Sequence, residues 1–157
     1  MTRVDSSALV GALVMTLGAA AWAQTPATCD DASNRCTSTA RLVAEGDAPF
    51  ATISLQVSRT GADPVLYVVA PLGIAARPGV RIVVNPGAVE IALPLDVCFP
   101  DGCRASTELT QDQLSRLVTA QDLSIQFIPF SSEETVAGEV AASALVDPMT
   151  RSGVSLP

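Results

Sequence analysis

The sequence contains no histidine and no lysine, and all nine of its basic residues are arginines. These absences exclude Ser-His and Cys-His nucleophile pairs, histidine-ligated zinc sites and Schiff-base lysines. The Gly-x-Ser-x-Gly and Ser-x-x-Lys patterns of serine hydrolases are also missing. A hydrolase that uses carboxylates alone stays open, because paired acids can be distant in sequence. We therefore predict a protein that is not an enzyme, with no catalytic residue, no cofactor and no metal ligand.

Aromatic residues make up only 4% of the chain, so a hydrophobic core must be built from valine, isoleucine, leucine and alanine. Positive charge is also scarce, and the formal net charge is −7. An acidic surface repels the phosphate backbone of nucleic acids and anionic membrane surfaces. We expect neither a nucleic acid nor an anionic lipid as a partner.

The first 23 residues have the layout of a cleavable export signal. Arg3 is followed by an apolar run over residues 8–17, and Ala21-Trp22-Ala23 gives the small-x-small pattern that precedes a cleavage site. The run is shorter than the roughly 20 residues that a membrane-spanning helix needs. We predict a signal peptide over 1–23, a mature protein without an integral membrane span, and a periplasmic, outer-membrane-associated or secreted location.

Four cysteines form two close pairs, Cys29 with Cys36 and Cys98 with Cys103. Export to an oxidising compartment favours disulfides over a thiolate metal site, and neither spacing is the Cys-x-x-Cys of redox enzymes. Four cysteines allow three complete pairings, among which sequence alone does not choose. Locality favours Cys29–Cys36 and Cys98–Cys103, and the Pro100-Asp101-Gly102 turn would bring the second pair to cross-strand distance. Such small loops fix local shape more than they hold a domain together.

The rest of the chain predicts short strands separated by Pro/Gly turns. Residues 51–58, 88–93 and 123–128 alternate between apolar and polar side chains, and residues 65–70 are apolar throughout, as expected of a strand covered on both faces. Thr110 and Gln113 form the pattern of a capping box before one short helix, whereas residues 136–145 are ambiguous between strand and helix. We predict an all-β sandwich with one short α-helix, as a single domain over 24–150 followed by a loose tail over 151–157.

The order of several motifs resembles the invasion-associated locus B family of exported bacterial proteins. These motifs cover most of the mature chain, from Cys29 to about Met149: an early cysteine pair, Val69-Ala70-Pro71-Leu72-Gly73, Pro78-Gly79-Val80, Cys98-x-x-x-Gly102-Cys103, residues 108–117, residues 123–128 and an alanine-rich end. The resemblance implies an immunoglobulin-like β-sandwich and a periplasmic or surface-associated protein that is linked, in pathogens, to host-cell entry. It implies no catalytic motif.

The leading interpretation is a non-enzymatic envelope or secreted protein that binds another protein through its loops. The first alternative is a periplasmic accessory or inhibitor protein, and the second is a carboxylate-only hydrolase. The site residues predicted from sequence are the four cysteines, as two disulfides: Cys29, Cys36, Cys98 and Cys103.

Overall fold

The structure, a computed structural model, describes residues 26–43, 49–84 and 89–157. The predicted signal peptide lies outside these residues. Within these ranges, ten strands form two antiparallel sheets. The larger sheet has the order β1-β2-β3-β4-β8-β7, and its strands are β1 Thr28–Asp30, β2 Arg35–Val43, β3 Pro49–Ser58, β4 Val65–Ala70, β7 Leu95–Phe99 and β8 Gly102–Glu108. The smaller sheet has the order β10-β9-β5-β6, with β5 Val80–Val84, β6 Val89–Leu93, β9 Asp122–Phe127 and β10 Val136–Ala141.

The two sheets pack face to face around an aliphatic core. Inward side chains of both sheets are fully buried, among them Ile53 and Leu55 of β3 and Ile82 of β5. Phe127 is the only buried aromatic of the described residues, and its ring stacks on Phe50 with 5.0 Å between centroids. The predicted all-β sandwich with an aliphatic core is confirmed.

The helix α1, Gln111–Thr119, begins where its sequence indicates. The Thr110 side chain accepts a hydrogen bond from the backbone N–H of Gln113, and the Gln113 side chain accepts one from the Thr110 N–H. Both bonds satisfy backbone donors that a helix start leaves without partners. Leu114 and Leu117 place the apolar side of the helix in the core.

A second helix, α2 at Ser143–Arg151, resolves the ambiguity over residues 136–145. The first part of that segment is β10, and the chain turns into α2 directly after it. No side chain caps the start of α2, and Pro148 lies inside it, so the usual sequence signals of a helix are missing. The helix is stabilised by burial of Leu145 and Met149, and it packs on β2.

The prediction of a loose tail over 151–157 differs from the structure. Arg151 is the last residue of α2, and Val154 is only 5% exposed. The Ser155 N–H donates to the carbonyl of Arg59, in the turn between β3 and β4. Gly61 in that turn has a φ of +76°, and a Cβ there would collide with the Ser155 carbonyl. A buried valine and a close backbone approach therefore hold the chain end in place.

The prediction that residues 65–70 are covered on both faces is wrong. Leu66, Val68 and Ala70 of β4 are buried between the sheets, but Tyr67 on the outer face is 40% exposed. Val65 and Val69, on the same outer face, are partly exposed. The strand is apolar on both sides although the described chain covers only one of them.

Candidate functional site

The four cysteines lie at the two edges of the larger sheet. Cys29 of edge strand β1 pairs in register with Cys36 of β2, and Cys98 of edge strand β7 pairs with Cys103 of β8. The structure joins each pair by a disulfide, with Cα atoms 4.0 Å and 3.9 Å apart. Each disulfide therefore links a short edge strand to its inner neighbour. An edge strand has hydrogen-bond partners on one side only, so the covalent link keeps it from separating.

The second disulfide encloses a tight turn whose side chains are fixed by one another. Arg104 donates to both carboxylate oxygens of Asp101, at 3.2 and 2.8 Å, and to the carbonyl of Gly102 at 3.2 Å. The same guanidinium lies over the Phe99 ring. These hydrogen bonds from Arg104 hold the pKa of the Asp101 carboxyl below its usual value and raise the pKa of Arg104.

Gly102 is required at this turn because the chain passes close to β4. Its φ is +140°, and a Cβ would lie 2.6 Å from the carbonyl oxygen of Ala70. A Cβ atom does not fit at this distance, so only glycine can occupy the position. The glycine of the Pro-Asp-Gly motif thus seats the turn against the end of β4.

Several large apolar side chains on the strands and loops beside this turn are exposed. The large hydrophobic side chains that stay exposed in the described parts of the chain are between 40% and 82% accessible, and they are Tyr67, Leu72, Val97, Phe99 and Phe130. We call these five residues the apolar corner. Strand register and loop contacts connect them to one another.

On the outer face of the larger sheet, Val69 lies opposite Arg104, and Arg104 lies opposite Val97. Phe99 lies opposite Gly102, one outward position along β7, and Tyr67 is the outward neighbour of Val69 along β4. Three strands therefore place Tyr67, Val97 and Phe99 on one continuous surface.

The corner continues into the loops at the end of β4. Leu72 and Pro100 line a surface cavity of about 340 Å³ together with Asp101; its other lining residues are Phe50, Ala51, Thr52, Val69, Ala70 and Pro71. The Phe130 N–H donates to the Gly73 carbonyl at 2.7 Å, and Ile74 forms a β-bridge with Pro129. Leu72 and Phe130 thus lie on two loops that are hydrogen-bonded to each other.

Acidic side chains do not converge on the cavity in the described part of the chain. No group of three or more cysteine, aspartate or glutamate side chains there could hold a metal ion. Asp101 supplies the one carboxylate that lines the cavity, and it forms an ion pair with Arg104. In the part of the chain that the structure describes, no helix has the length and apolar character to cross a membrane.

The protein-family model described as invasion associated locus B (IalB) protein matches residues 22–147. The chain belongs to the invasion associated locus B family. The family resemblance inferred from the cysteine and proline motifs is confirmed. The description of the family names no enzymatic activity, and family membership together with two disulfides indicates an exported envelope protein.

A solved crystal structure has a similar fold. The crystal structure of invasion associated protein B from Bartonella henselae is similar with a TM-score of 0.67 and 17% sequence identity. The match covers 80% of this chain and 88% of the Bartonella chain. No curated protein sequence matches the chain. At this identity, the similarity establishes the fold of the chain alone.

The sequence predicted the Pro100-Asp101-Gly102 turn between Cys98 and Cys103. It did not predict the exposed apolar residues of the corner. One signal was available in β4, since a strand that is apolar at every position needs cover on both faces. Val97, Phe99 and Phe130 carry no such signal, because valine and phenylalanine are residue types that are usually buried. Their exposure is decided by edge position and loop path.

Proposed function

We propose that this member of the invasion associated locus B family is a non-enzymatic envelope protein that binds another protein through the apolar corner. The observation that carries the proposal is that exposed Tyr67, Val97 and Phe99 share the outer face of the larger sheet beside the Cys98–Cys103 turn, with exposed Leu72 and Phe130 on two hydrogen-bonded loops at the end of β4. Contiguous exposed apolar patches on soluble domains mark interaction sites more often than isolated exposed residues do. The aromatic residues and the stacked Arg104 are typical of the residue types enriched at protein interfaces.

The disulfide and the Arg104–Asp101 pair support this role by keeping the surface in one shape before binding. A preformed surface loses less conformational entropy on association than a mobile loop does. The turn is held by the Cys98–Cys103 disulfide, by the bidentate ion pair between Arg104 and Asp101, and by the close contact of Gly102 with Ala70.

A position-specific crosslinking experiment tests the proposal. A photoreactive phenylalanine analogue replaces Leu72 in the full chain expressed in its own bacterium, and a second strain carries it at Ala137, exposed on β10 of the smaller sheet. We expect a discrete crosslinked protein from position 72 and none from position 137. Absence of adducts at both positions, or the same adduct at both, would contradict a binding role for the corner.

The place of action is proposed to be the envelope, either in the periplasm or at the cell surface. Protease treatment of intact cells separates the two, because only a surface-exposed chain is digested without membrane disruption. Digestion in intact cells supports contact with a host or other external protein. Protection until the outer membrane is opened supports an accessory or inhibitor role inside the periplasm.

A further inference from the structure

We propose that two copies of this protein associate through their edge strands β7, which pair antiparallel about Cys98. The inference goes beyond the proposed function and does not depend on it. β7 ends the larger sheet, and no strand of the described residues lies beyond it. All of its residues except Leu95 are exposed. An exposed edge strand offers unpaired backbone groups to another chain.

The backbone groups of Cys98 point toward the open edge. Cys98 lies directly opposite Cys103 of β8, and their Cα atoms are 3.9 Å apart. This short spacing is typical of a non-hydrogen-bonded antiparallel pair, in which the N–H and C=O groups of both residues are directed away from each other. The N–H and C=O of Cys98 are therefore available to a further strand. Those of Val97 and Phe99 face β8, because the two kinds of position alternate along a strand.

The side chains on either side of Cys98 make β7 complementary to itself. In an antiparallel pair centred on Cys98, the two cysteines exchange both backbone hydrogen bonds, and Val97 of each copy lies opposite Phe99 of the other. Val97 and Phe99 share the outer face and are 46% and 48% exposed. An aromatic residue opposite a β-branched one is a favourable cross-strand pair, and the dimer forms this pair twice.

Charge does not oppose this pairing at the positions that meet. Asp96 is the one charged residue of β7, and it falls beside Pro100 of the second copy rather than beside another carboxylate. The Asp96 carboxylate also accepts a hydrogen bond from the Ser106 hydroxyl at 2.7 Å. A bulge between Leu95 and Val97 ends the regular ladder on one side, so the pairing is short.

The opposite edge of the larger sheet, β1, is an internal comparison. Cys29 lies opposite Cys36 with Cα atoms 4.0 Å apart, so the backbone of β1 has the same geometry. Its flanking residues, Thr28 and Asp30, are polar, and the Asp30 carboxylate accepts hydrogen bonds from N–H groups of its own turn. Of these two edges, β7 therefore supports self-association because it adds the apolar pair.

Pairing of β7 joins two six-stranded sheets into one, with both outer faces on the same side. We call the line where the two β7 strands meet the seam. The contact is short, so we expect a dissociation constant on the order of 100 µM. Each copy is acidic, so added salt should strengthen the dimer by screening the repulsion between copies.

Sedimentation equilibrium of the oxidised mature protein tests the association, with the dimer fraction rising toward a concentration of about 1 mM. Val97→Lys places a charge in the seam and should weaken dimerisation about tenfold or more, and the milder Val97→Thr about threefold. Leu72→Lys, on a loop outside the seam, is the matched control and should change nothing. A monomer at the highest concentration, or an equal loss from Leu72→Lys, would overturn the proposal.

Hydrogen exchange locates the contact at the backbone. The Cys98 N–H is bonded in the dimer and exposed in the monomer, so its exchange should slow about threefold or more between roughly 10 µM and 1 mM protein. The Cys29 N–H has the same position on β1 and should exchange at an unchanged rate. Slowing at Cys29 alone, or at neither cysteine while dimers form, would refute the seam.

Crosslinking identifies the occupant of the edge. A photoreactive phenylalanine analogue replaces Phe99 in an equal mixture of isotopically labelled and unlabelled protein. Adducts that join a labelled to an unlabelled chain at Val97 support the pairing, whereas adducts elsewhere on the second copy contradict it. Dimers without a crosslinked partner from position 72 would refute the proposed function alone, and a crosslinked partner without dimers would refute this inference alone.

Discussion

The guanidinium of Arg104 lies over the ring of Phe99, with 4.9 Å between its Cζ atom and the ring centroid. Phe99 lies within the Cys98–Cys103 turn and Arg104 directly follows it, and Asp101 at the tip of the turn is paired with the same guanidinium. An arginine placed between an aromatic ring and a carboxylate fixes both at once. The exposed Phe99 is therefore a positioned part of the apolar corner.

Titration of Asp101 tests that arrangement. Because hydrogen bonds from Arg104 lower the pKa of Asp101, the pair stabilises the fold above the unfolded pKa of about 3.9 and loses this contribution as the pH falls through the lower folded pKa. NMR of the carboxyl carbon should give a pKa below the ordinary value. Arg104→Gln should return it to that value, and an unchanged pKa in this variant would contradict the assignment.

The disulfide pairing is predicted to be local in the exported protein. Trypsin cuts after Arg35, between Cys29 and Cys36, so the unreduced digest should contain two peptides joined through these cysteines. Cys98 and Cys103 fall within one tryptic peptide, residues 82–104, and should appear as an internal loop two hydrogens lighter than the reduced form. A Cys29 peptide joined to residues 82–104 would overturn the pairing.

The Thr110 cap is expected to contribute measurably to stability. Thr110→Ala removes the side-chain acceptor for the Gln113 N–H and should lower the free energy of unfolding by about 1 kcal/mol. Thr119→Ala in the last turn of the same helix is the matched control. Its exposed hydroxyl bonds to the carbonyls of Ser115 and Arg116, and water can take its place there, so urea unfolding should show little change.

A glycine pair tests how firmly the chain end is docked. Gly61 and Gly73 both have positive φ, +76° and +82°, but only Gly61 faces a backbone carbonyl, that of Ser155. Both alanine variants should lose about 1 kcal/mol or more from backbone strain. Gly61→Ala should lose more in urea unfolding and should expose Val154 to faster hydrogen exchange. Equal losses would show that the chain end contributes little.

Several features follow from local sequence because their physical cause is local. The capping box of α1 needs only Thr110 and Gln113, and the Pro-Asp-Gly turn needs only its own three residues to bring Cys98 opposite Cys103. The alternation over residues 51–58 predicts β3 and its buried face. The family was identifiable because its cysteine and proline motifs keep a fixed order along the chain.

Other features depend on contacts between distant segments and could not be predicted. The helix α2 lacks a capping side chain and exists because Leu145 and Met149 find a place against β2. The end of the chain is ordered because Val154 is buried and Ser155 meets Arg59. The composition of each segment does not indicate which distant residues it contacts.

The sequence by itself determined an aliphatic, acidic β-protein without the residues for histidine or lysine chemistry, since composition and short-range spacing suffice for those conclusions. Only the tertiary structure decided which apolar residues stay uncovered. Apolar character is a property of a side chain, but exposure depends on which strand becomes an edge and which sheet face lacks a neighbour. For that reason the outer face of β4, the edge strand β7 and the loop of Phe130 keep exposed apolar side chains.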